Sequence, residues 1–478
     1  MVKDTILRTL GRVFLPLIRG YALGFLKEKQ VERKQRELLK SKFMKQSKSV
    51  IGEKIGVTPG CSIESLPLTS YSFYASFFEN PKEGDMMYRL DDYVKVYTSG
   101  SMGKPKTFLL PKTAMWDNVK KAGLSFLFIS THDGEKITFE IGDTMYKNVP
   151  GGAYITGFLS DSLSSNSDWW IKQVPDLNLP FHEKVDYFVE NYKDIDMASM
   201  TVTTLLDEIE PRIKEPLKLK GFVTQDRSAI ALREKIKEFT GTYPKVAYGS
   251  TETLFCGMPS VEHPGCFFFD WRVVYTEFLP EDQALDPNGE LLKDTSEIVR
   301  SSDVEVGGRY QLIATPMKND MTRYVTPDIF ECVAKRDSIL GTDQPIFRYY
   351  SRMDRLLVLH NFTRIAENEL LNVLSEAGIP FVDFTARMEL HGSREYMAMY
   401  LELAMPMEAE EVADRIHEEL LRVDKDWRDL TDFMRYKPLK VVLLPRRTFV
   451  NYLSKRVGMP RIERINMKDE WFKQLLGQ

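Results

Sequence analysis

Residues Thr98-Ser99-Gly100-Ser101-Met102-Gly103-Lys104-Pro105-Lys106 set hydroxyls, two glycines and two lysines side by side. Glycines let a backbone approach an anion closely and adopt positive φ, while hydroxyl and ammonium groups donate hydrogen bonds to phosphate oxygens. The spacing of Gly, Lys and Ser/Thr is not that of a Walker loop. By composition alone the stretch serves either as a phosphate loop or as a plain surface turn. Tyr248-Gly249-Ser250-Thr251-Glu252 follows the β-type pair Val246-Ala247 and, taken alone, reads as a strand-to-loop turn capped by Ser and Thr. Arg323-Tyr324-Val325-Thr326-Pro327-Asp328 ends in a Pro-Asp pair, which favours turns, and offers a carboxylate, which only accepts hydrogen bonds. Arg352-Met353-Asp354 in isolation is a surface ion pair of small worth.

These strings need elements to hold them. Val94 to Tyr97 reads as a short strand that breaks into the Ser/Gly/Lys string, and Thr113 to Ser125 as a helix after it. Helical stretches such as Val202 to Glu210, stopped by Pro211, and Ala229 to Phe239 alternate with apolar runs at Lys245 to Tyr248 and Arg309 to Ala314, which is an α/β pattern. A helical lead-in occupies residues 1–60. Beyond Asp354 the alternation changes: strands over Leu356 to Leu359, Tyr396 to Leu403 and Lys440 to Leu444, helices over Glu367 to Ala377 and Glu408 to Val423. The expected fold is therefore a large N-terminal α/β domain over 1–352 and a smaller α+β domain over 353–478.

The first string resembles the TSG-[ST]-[ST]-G-x-PK phosphate loop of the adenylate-forming superfamily, with Met102 in place of a hydroxyl residue. Tyr248 to Glu252 resembles its Y-G-[ST]-[ST]-E motif, Arg323 to Asp328 its R-Y-x-x-x-D stretch with Pro327 for the usual Gly, and Arg352 to Asp354 its R-x-D hinge. The resemblance implies that Thr98, Ser99, Gly100, Ser101, Gly103 and Lys104 bind ATP phosphates. It places the Tyr248 ring near adenine, with Gly249, Ser250 and Thr251 at the α-phosphate. Glu252 then holds Mg2+, Asp328 accepts the ribose hydroxyls, and Asp354 is the hinge of a mobile C-terminal domain. A carboxylate suits a hard cation that also takes phosphate oxygens. Where many superfamily members carry Gly-Gly beside adenine this chain has Val223-Thr224-Gln225-Asp226-Arg227-Ser228-Ala229, so that contact is not carried over. Near the C-terminus Lys455 stands displaced in a G-x-x-K-x-P-R-like string and is the candidate for the cation that steadies carboxylate and α-phosphate.

Within that superfamily, Val273 to Pro280 resembles the Y-x-E-F-[IL]-P strand of the plant auxin-responsive acyl-acid amido synthetases. Val304 to Thr315, Glu367 to Leu370, Val382 to Ala386 and Tyr396 to Leu403 echo further strings of that family in order. The implied activity is ATP-dependent activation of a carboxylic acid as acyl-adenylate, then transfer to an amine or amino acid. A thioester with coenzyme A is the alternative, and a non-catalytic nucleotide-binding relative a second. As strand residues, Tyr275, Phe278, Phe384 and Tyr400 are expected in cores, while Glu277 and Asp383 fit solvated strand faces equally well.

Composition narrows partners. Lys plus Arg number 65 against 69 Asp plus Glu, so the chain lacks the basic excess of a nucleic-acid binder. Cys61, Cys256, Cys266 and Cys332 have no metal-type spacing and read as reduced thiols of a cytoplasmic protein. Arg8, Arg12 and Arg19 interrupt the apolar N-terminus, which excludes a membrane-spanning helix there and leaves peripheral contact as the most a membrane could have.

Overall fold

The computed structural model describes residues 2–97, 106–148, 170–202, 204–225, 228–285, 297–352, 356–360, 363–454 and 462–477. They form two compact units, one up to residue 352 and one from residue 356. The first unit opens on helices α1 (Val2–Leu23), α2 (Val31–Gln46) and α3 (Val50–Ile55). On α1, Ala22 with Leu15, Ile18 and Leu23 packs against the cluster of Phe128 and Phe139. Leu10, Val13, Phe14, Leu17 and Tyr21 of the same helix face outward. Helix α2 buries Leu39, Lys42, Phe43 and Gln46, a single helical face that includes two polar side chains. Ser49 caps α3 by accepting from the Gly52 amide, and Gly56 ends it at φ 84°, a conformation that glycine enters without strain.

After α4 (Tyr71–Glu79), strands β1 (Tyr93–Tyr97) and β2 (Thr107–Pro111) pair antiparallel, with Tyr97 opposite Thr107. The two strands thus bracket the Ser/Gly/Lys string, whose members Thr98, Ser99, Gly100, Ser101, Gly103 and Lys104 lie outside the described residues. Helices α5 (Lys112–Asn118) and α6 (Leu124–Ser130) follow, joined by a π-helical turn. Strands β3 (Thr144–Lys147), β4 (Lys172–Val174), β5 (Met197–Ser199), β6 (Gly221–Thr224) and β7 (Pro244–Val246) form a wholly parallel sheet in the order β4-β3-β5-β6-β7. Its crossovers carry α7 (Phe181–Asn191) and α8 (Arg233–Thr240). The helix expected to stop at Pro211 is instead a π-helical stretch, Thr204–Ile209, and Pro211 lies inside the 3-10 turn Glu210–Arg212. At the first positions of a turn an amide has no partner in any case, so proline is tolerated there.

Only Ala247 separates β7 from β8 (Tyr248–Ser250), the first strand of a second sheet. That sheet adds β9 (Leu254–Pro259), β10 (Phe267–Phe269), β11 (Val274–Pro280), β12 (Val299–Arg300), β13 (Arg309–Pro316), β14 (Tyr324–Ala334) and β15 (Ile346–Arg352). Its order is β12-β11-β13-β14-β15-β10-β9-β8. Phe222, Phe267, Phe278, Phe330 and Phe347, all essentially without solvent exposure, belong to a core that both sheets share.

The second unit pairs β16 (Leu357–Leu359) with β17 (Thr363–Ile365). It then forms a three-stranded sheet from β18 (Phe381–His391), β19 (Arg394–Leu403) and β20 (Leu439–Leu444), in which β19 runs antiparallel to β18 and parallel to β20. Helices α9 (Glu367–Glu376), α10 (Ala409–Val423) and α11 (Lys425–Met434) share its core, which includes Leu370, Phe384, Leu401, Ile416 and the fully buried Trp427. Arg464 reaches Asp383 at 2.7 Å and Glu367 at 2.9 Å, so Asp383 is tied to a cation and not simply solvated. Asp354 and Lys455 lie outside the described residues.

Candidate active site

The chain leaves the carboxyl end of a parallel strand at Val246 and turns into the antiparallel sheet through Tyr248 to Glu252. The carboxyl ends of parallel strands are where open α/β sheets bind ligands. Gly249 is required by the close pairing of β8 with β9: a Cβ there would stand 2.8 Å from the Leu254 carbonyl oxygen and 3.2 Å from the Phe255 Cα. Both are backbone atoms, and Leu254 already holds a left-handed φ of 58°. Gly249→Ala is therefore expected to cost about 1–3 kcal/mol in urea unfolding, the usual range for overpacking. An unchanged unfolding midpoint would refute the close approach.

The Ser250 hydroxyl lies 3.0 Å from that of Thr253 and accepts from the Thr253 amide at 3.2 Å. The turn is thus capped by its own hydroxyls, and Thr251 sits half-buried between Ser250 and Glu252. Tyr248 stacks on Phe267 with centroids 5.5 Å apart and meets Phe330 edge-on at 4.9 Å. Its hydroxyl donates to Asp328 Oδ2 at 2.7 Å, joining two strings that are 80 positions apart. Burial, reinforced by the Asp328 charge, raises the phenol well above its ordinary pKa. The ring is thus part of an aromatic cluster, and the phenol is a ligand of the carboxylate that the sequence offered to ribose. Asp328 is almost fully buried on β14, in register with Arg352 on β15.

Glu252 is half-buried, with Oε1 3.5 Å from the Tyr324 hydroxyl and its carbonyl oxygen accepting from Asn319 Nδ2 at 2.8 Å. Tyr71 is bonded to the start of β2 and feels the charge of Glu252. The Tyr71 hydroxyl accepts from the Thr107 amide at 2.9 Å and donates to the Thr107 carbonyl at 3.2 Å, while the Lys106 ammonium stands 5.0 Å over its ring. Burial first, then the charges of Glu79 and Glu252, raise the Tyr71 pKa. Asn118 on α5 donates to the Phe255 carbonyl on β9 at 2.6 Å. Helix α5, which follows β2, is thereby fastened to β9, which follows the second string.

Arg323 plays a different part. It lies 2% exposed at φ 46°, with Nε and Nη2 each 3.0 Å from the Glu277 carboxylate and Nη1 donating to the Leu66 carbonyl at 2.6 Å. Glu277 is 2% exposed and is not a solvated strand face. Alternation along β11 could not reveal this, because the partner that makes burial of the carboxylate tolerable lies in the bend before β14. Phe278 and Phe384 are core residues, whereas Tyr275 and Tyr400 are half-buried. Tyr275, Arg36 and Arg300 line a cavity of about 820 Å³ between α2 and β11, a volume usual for small-molecule sites and not lined by Tyr248, Glu252 or Asp328.

Among the described residues no three His, Cys, Asp or Glu side chains gather as a metal cluster. Mg2+ is ordinarily bound through one or two carboxylates together with substrate phosphates, so Glu252 alone fits that mode. Sequence reading missed Tyr71, Asn319 and Lys42. Only Lys42 left a trace, as a lysine on the apolar stripe of Leu39 and Phe43.

Residues 267–340, from β10 to beyond β14, match the family model for the GH3 family central domain. That segment is similar to the GH3 family central domain. The chain's fold is shared by two solved structures, each matched over nearly the whole of this chain. The AtGH3.15 acyl acid amido synthetase in complex with 2,4-DB is 13% identical, each chain 95% covered, at a TM-score of 0.52. A 2-hydroxyisobutyryl-CoA ligase in complex with 2-HIB-AMP and CoA is 14% identical over 95% of this chain and 94% of that one, at a TM-score of 0.60. At such identities the likeness concerns fold. No curated protein matches the chain in sequence. All four cysteines are free thiols, and among the described residues no helix is long and apolar enough to cross a membrane.

Proposed function

We propose that the protein activates a carboxylic acid with ATP and passes the acyl group to an amine or amino acid. The observation that carries this reading is the Tyr248–Asp328 hydrogen bond, which joins the two nucleotide strings in a chain with a GH3-type central segment. A carboxylate oxygen of the acid attacks the α-phosphorus of ATP, the bond from that phosphorus to the bridging oxygen breaks, and pyrophosphate leaves with the electron pair. The carboxylate is already the nucleophile, so the protein's task is to position the reactants and balance charge. Asp328 takes the ribose, and Glu252 holds Mg2+, which when bound neutralises charge on the departing pyrophosphate. Thr98, Ser99, Gly100, Ser101, Gly103 and Lys104 wrap the phosphates, Gly249, Ser250 and Thr251 face the α-phosphate, Asp354 is the hinge of a mobile domain over 353–478, and Lys455 steadies the carboxylate. These last assignments rest on the sequence strings. In this reading the protein works in the cytoplasm, and the outward stripe on α1 allows peripheral membrane contact at most.

Product mass tests the acceptor. Enzyme, ATP and a pool of carboxylic acids are incubated with amino acids in one tube and coenzyme A in another, and acyl-amide masses are expected in the first only. The likeness to the CoA ligase fold favours a second reading, thioester formation. Acyl-CoA masses without any amide would establish it and leave the adenylation step intact.

A further inference from the structure

Building on that reading of Glu252, we propose that Lys42 is a positioning residue of the nucleotide and metal site, acting through Asn319. Lys42 is 3% exposed, and its ammonium donates to the carbonyls of Pro316 at 2.8 Å, Asn319 at 2.6 Å and Met321 at 2.6 Å. An ammonium has three protons, and one turn of chain supplies a carbonyl to each. One helical turn along α2, Gln46 Nε2 donates to the Asp320 carbonyl at 2.6 Å, and its Oε1 accepts from the Thr322 hydroxyl at 2.8 Å. From another side the Tyr93 hydroxyl donates to Asp320 Oδ2 at 2.6 Å and the Met87 amide to Oδ1 at 2.7 Å. The turn between β13 and β14 is therefore gripped along its length.

Asn319 in that turn is 1% exposed. Its Oδ1 accepts from the Met321 amide at 3.1 Å, and its Nδ2 donates to the Glu252 carbonyl at 2.8 Å. Two hydrogen bonds thus lead from the Lys42 ammonium to the backbone of the carboxylate that meets the metal. The same turn runs directly into the strand that carries Asp328. An apolar side chain could fill the place of Lys42 without the cost of taking a charge out of water. Burial indeed pulls its ammonium pKa down, against the field of Asp320. What the buried charge adds is a fixed conformation for the turn, and through Asn319 a fixed backbone at Glu252. Groups that orient a metal ligand typically change metal affinity 10- to 100-fold when removed.

The test compares wild type, Lys42→Met, Asn319→Leu and Glu252→Gln in magnesium-dependent ATP binding, and in hydrogen exchange of the amides of residues 250–254 in ligand-free protein. Asn319→Leu leaves the ammonium and its three carbonyls in place, so it stays informative if Lys42→Met does not fold. Weakening of the apparent magnesium affinity by about tenfold or more in Asn319→Leu is expected, with metal-free nucleotide binding unchanged and faster exchange at 250–254. A lower melting temperature with wild-type magnesium dependence would make the network merely structural and overturn the proposal. So would wild-type behaviour of Asn319→Leu beside a weakened Glu252→Gln. If Glu252→Gln itself binds magnesium and ATP as wild type does, the reading of Glu252 fails and the inference falls with it. Neither readout needs turnover, so loss of the adenylation reading would be seen separately.

Discussion

Glu252→Gln is expected to reduce carboxylate-dependent ATP–pyrophosphate exchange by at least about a hundredfold, because it removes the carboxylate proposed to hold magnesium while preserving size and hydrogen-bonding capacity. The backbone of residue 252 stays where Asn319 holds it, so the loss should come with an unchanged melting temperature. Asp328→Asn gives the contrast. It keeps an oxygen to accept from the Tyr248 phenol, so the buried hydroxyl is not orphaned. Its effect should fall on the apparent Michaelis constant for ATP more than on the maximal rate. Exchange that survives in Glu252→Gln would remove the metal role. No exchange by wild type over a broad panel of acids, with nucleotide still bound, would favour a non-catalytic nucleotide-binding relative.

The strands over Val94 to Tyr97, Arg309 to Ala314 and Tyr396 to Leu403 and the helices over Glu367 to Ala377 and Glu408 to Val423 were legible because apolar periodicity reports which face is buried, and these elements are buried on one face or both. The strings at Tyr248 and Asp328 were legible as composition, but not their mutual contact, which depends on how β8 and β14 are placed in one sheet. Periodicity is silent about such pairs. It also assigns polar residues to water, which fails wherever a distant partner satisfies them. Glu277 is buried because Arg323 reaches it across the sheet, and Lys42 because three carbonyls nearly 280 positions further along converge on it. Nor does an aromatic ring such as that of Tyr248 give any sign in sequence that it will stack on Phe267.

Arg323→Met should be the most destabilising of these substitutions, by about 3–5 kcal/mol in denaturant unfolding, the range for removing one partner of a buried ion pair. The guanidinium holds both oxygens of Glu277 and donates to the Leu66 carbonyl, so its loss takes the paired cation from a carboxylate with 2% exposure and a donor from that carbonyl. Glu277→Leu should cost a comparable amount by stranding the cation. The double variant Arg323→Met with Glu277→Leu removes both charges, and its loss should be clearly smaller than the sum of the two single losses, since neither buried charge then lacks the other. The guanidinium also ties the turn at Leu66 to β11 at the start of β14. The single variants should therefore raise the apparent Michaelis constant for ATP through Asp328, five residues on, whereas Glu252→Gln should act on the magnesium dependence. Single losses below about 1 kcal/mol, adding without coupling in the double variant, would show that the pair is solvated in solution and that the 323–328 strand is positioned by other contacts.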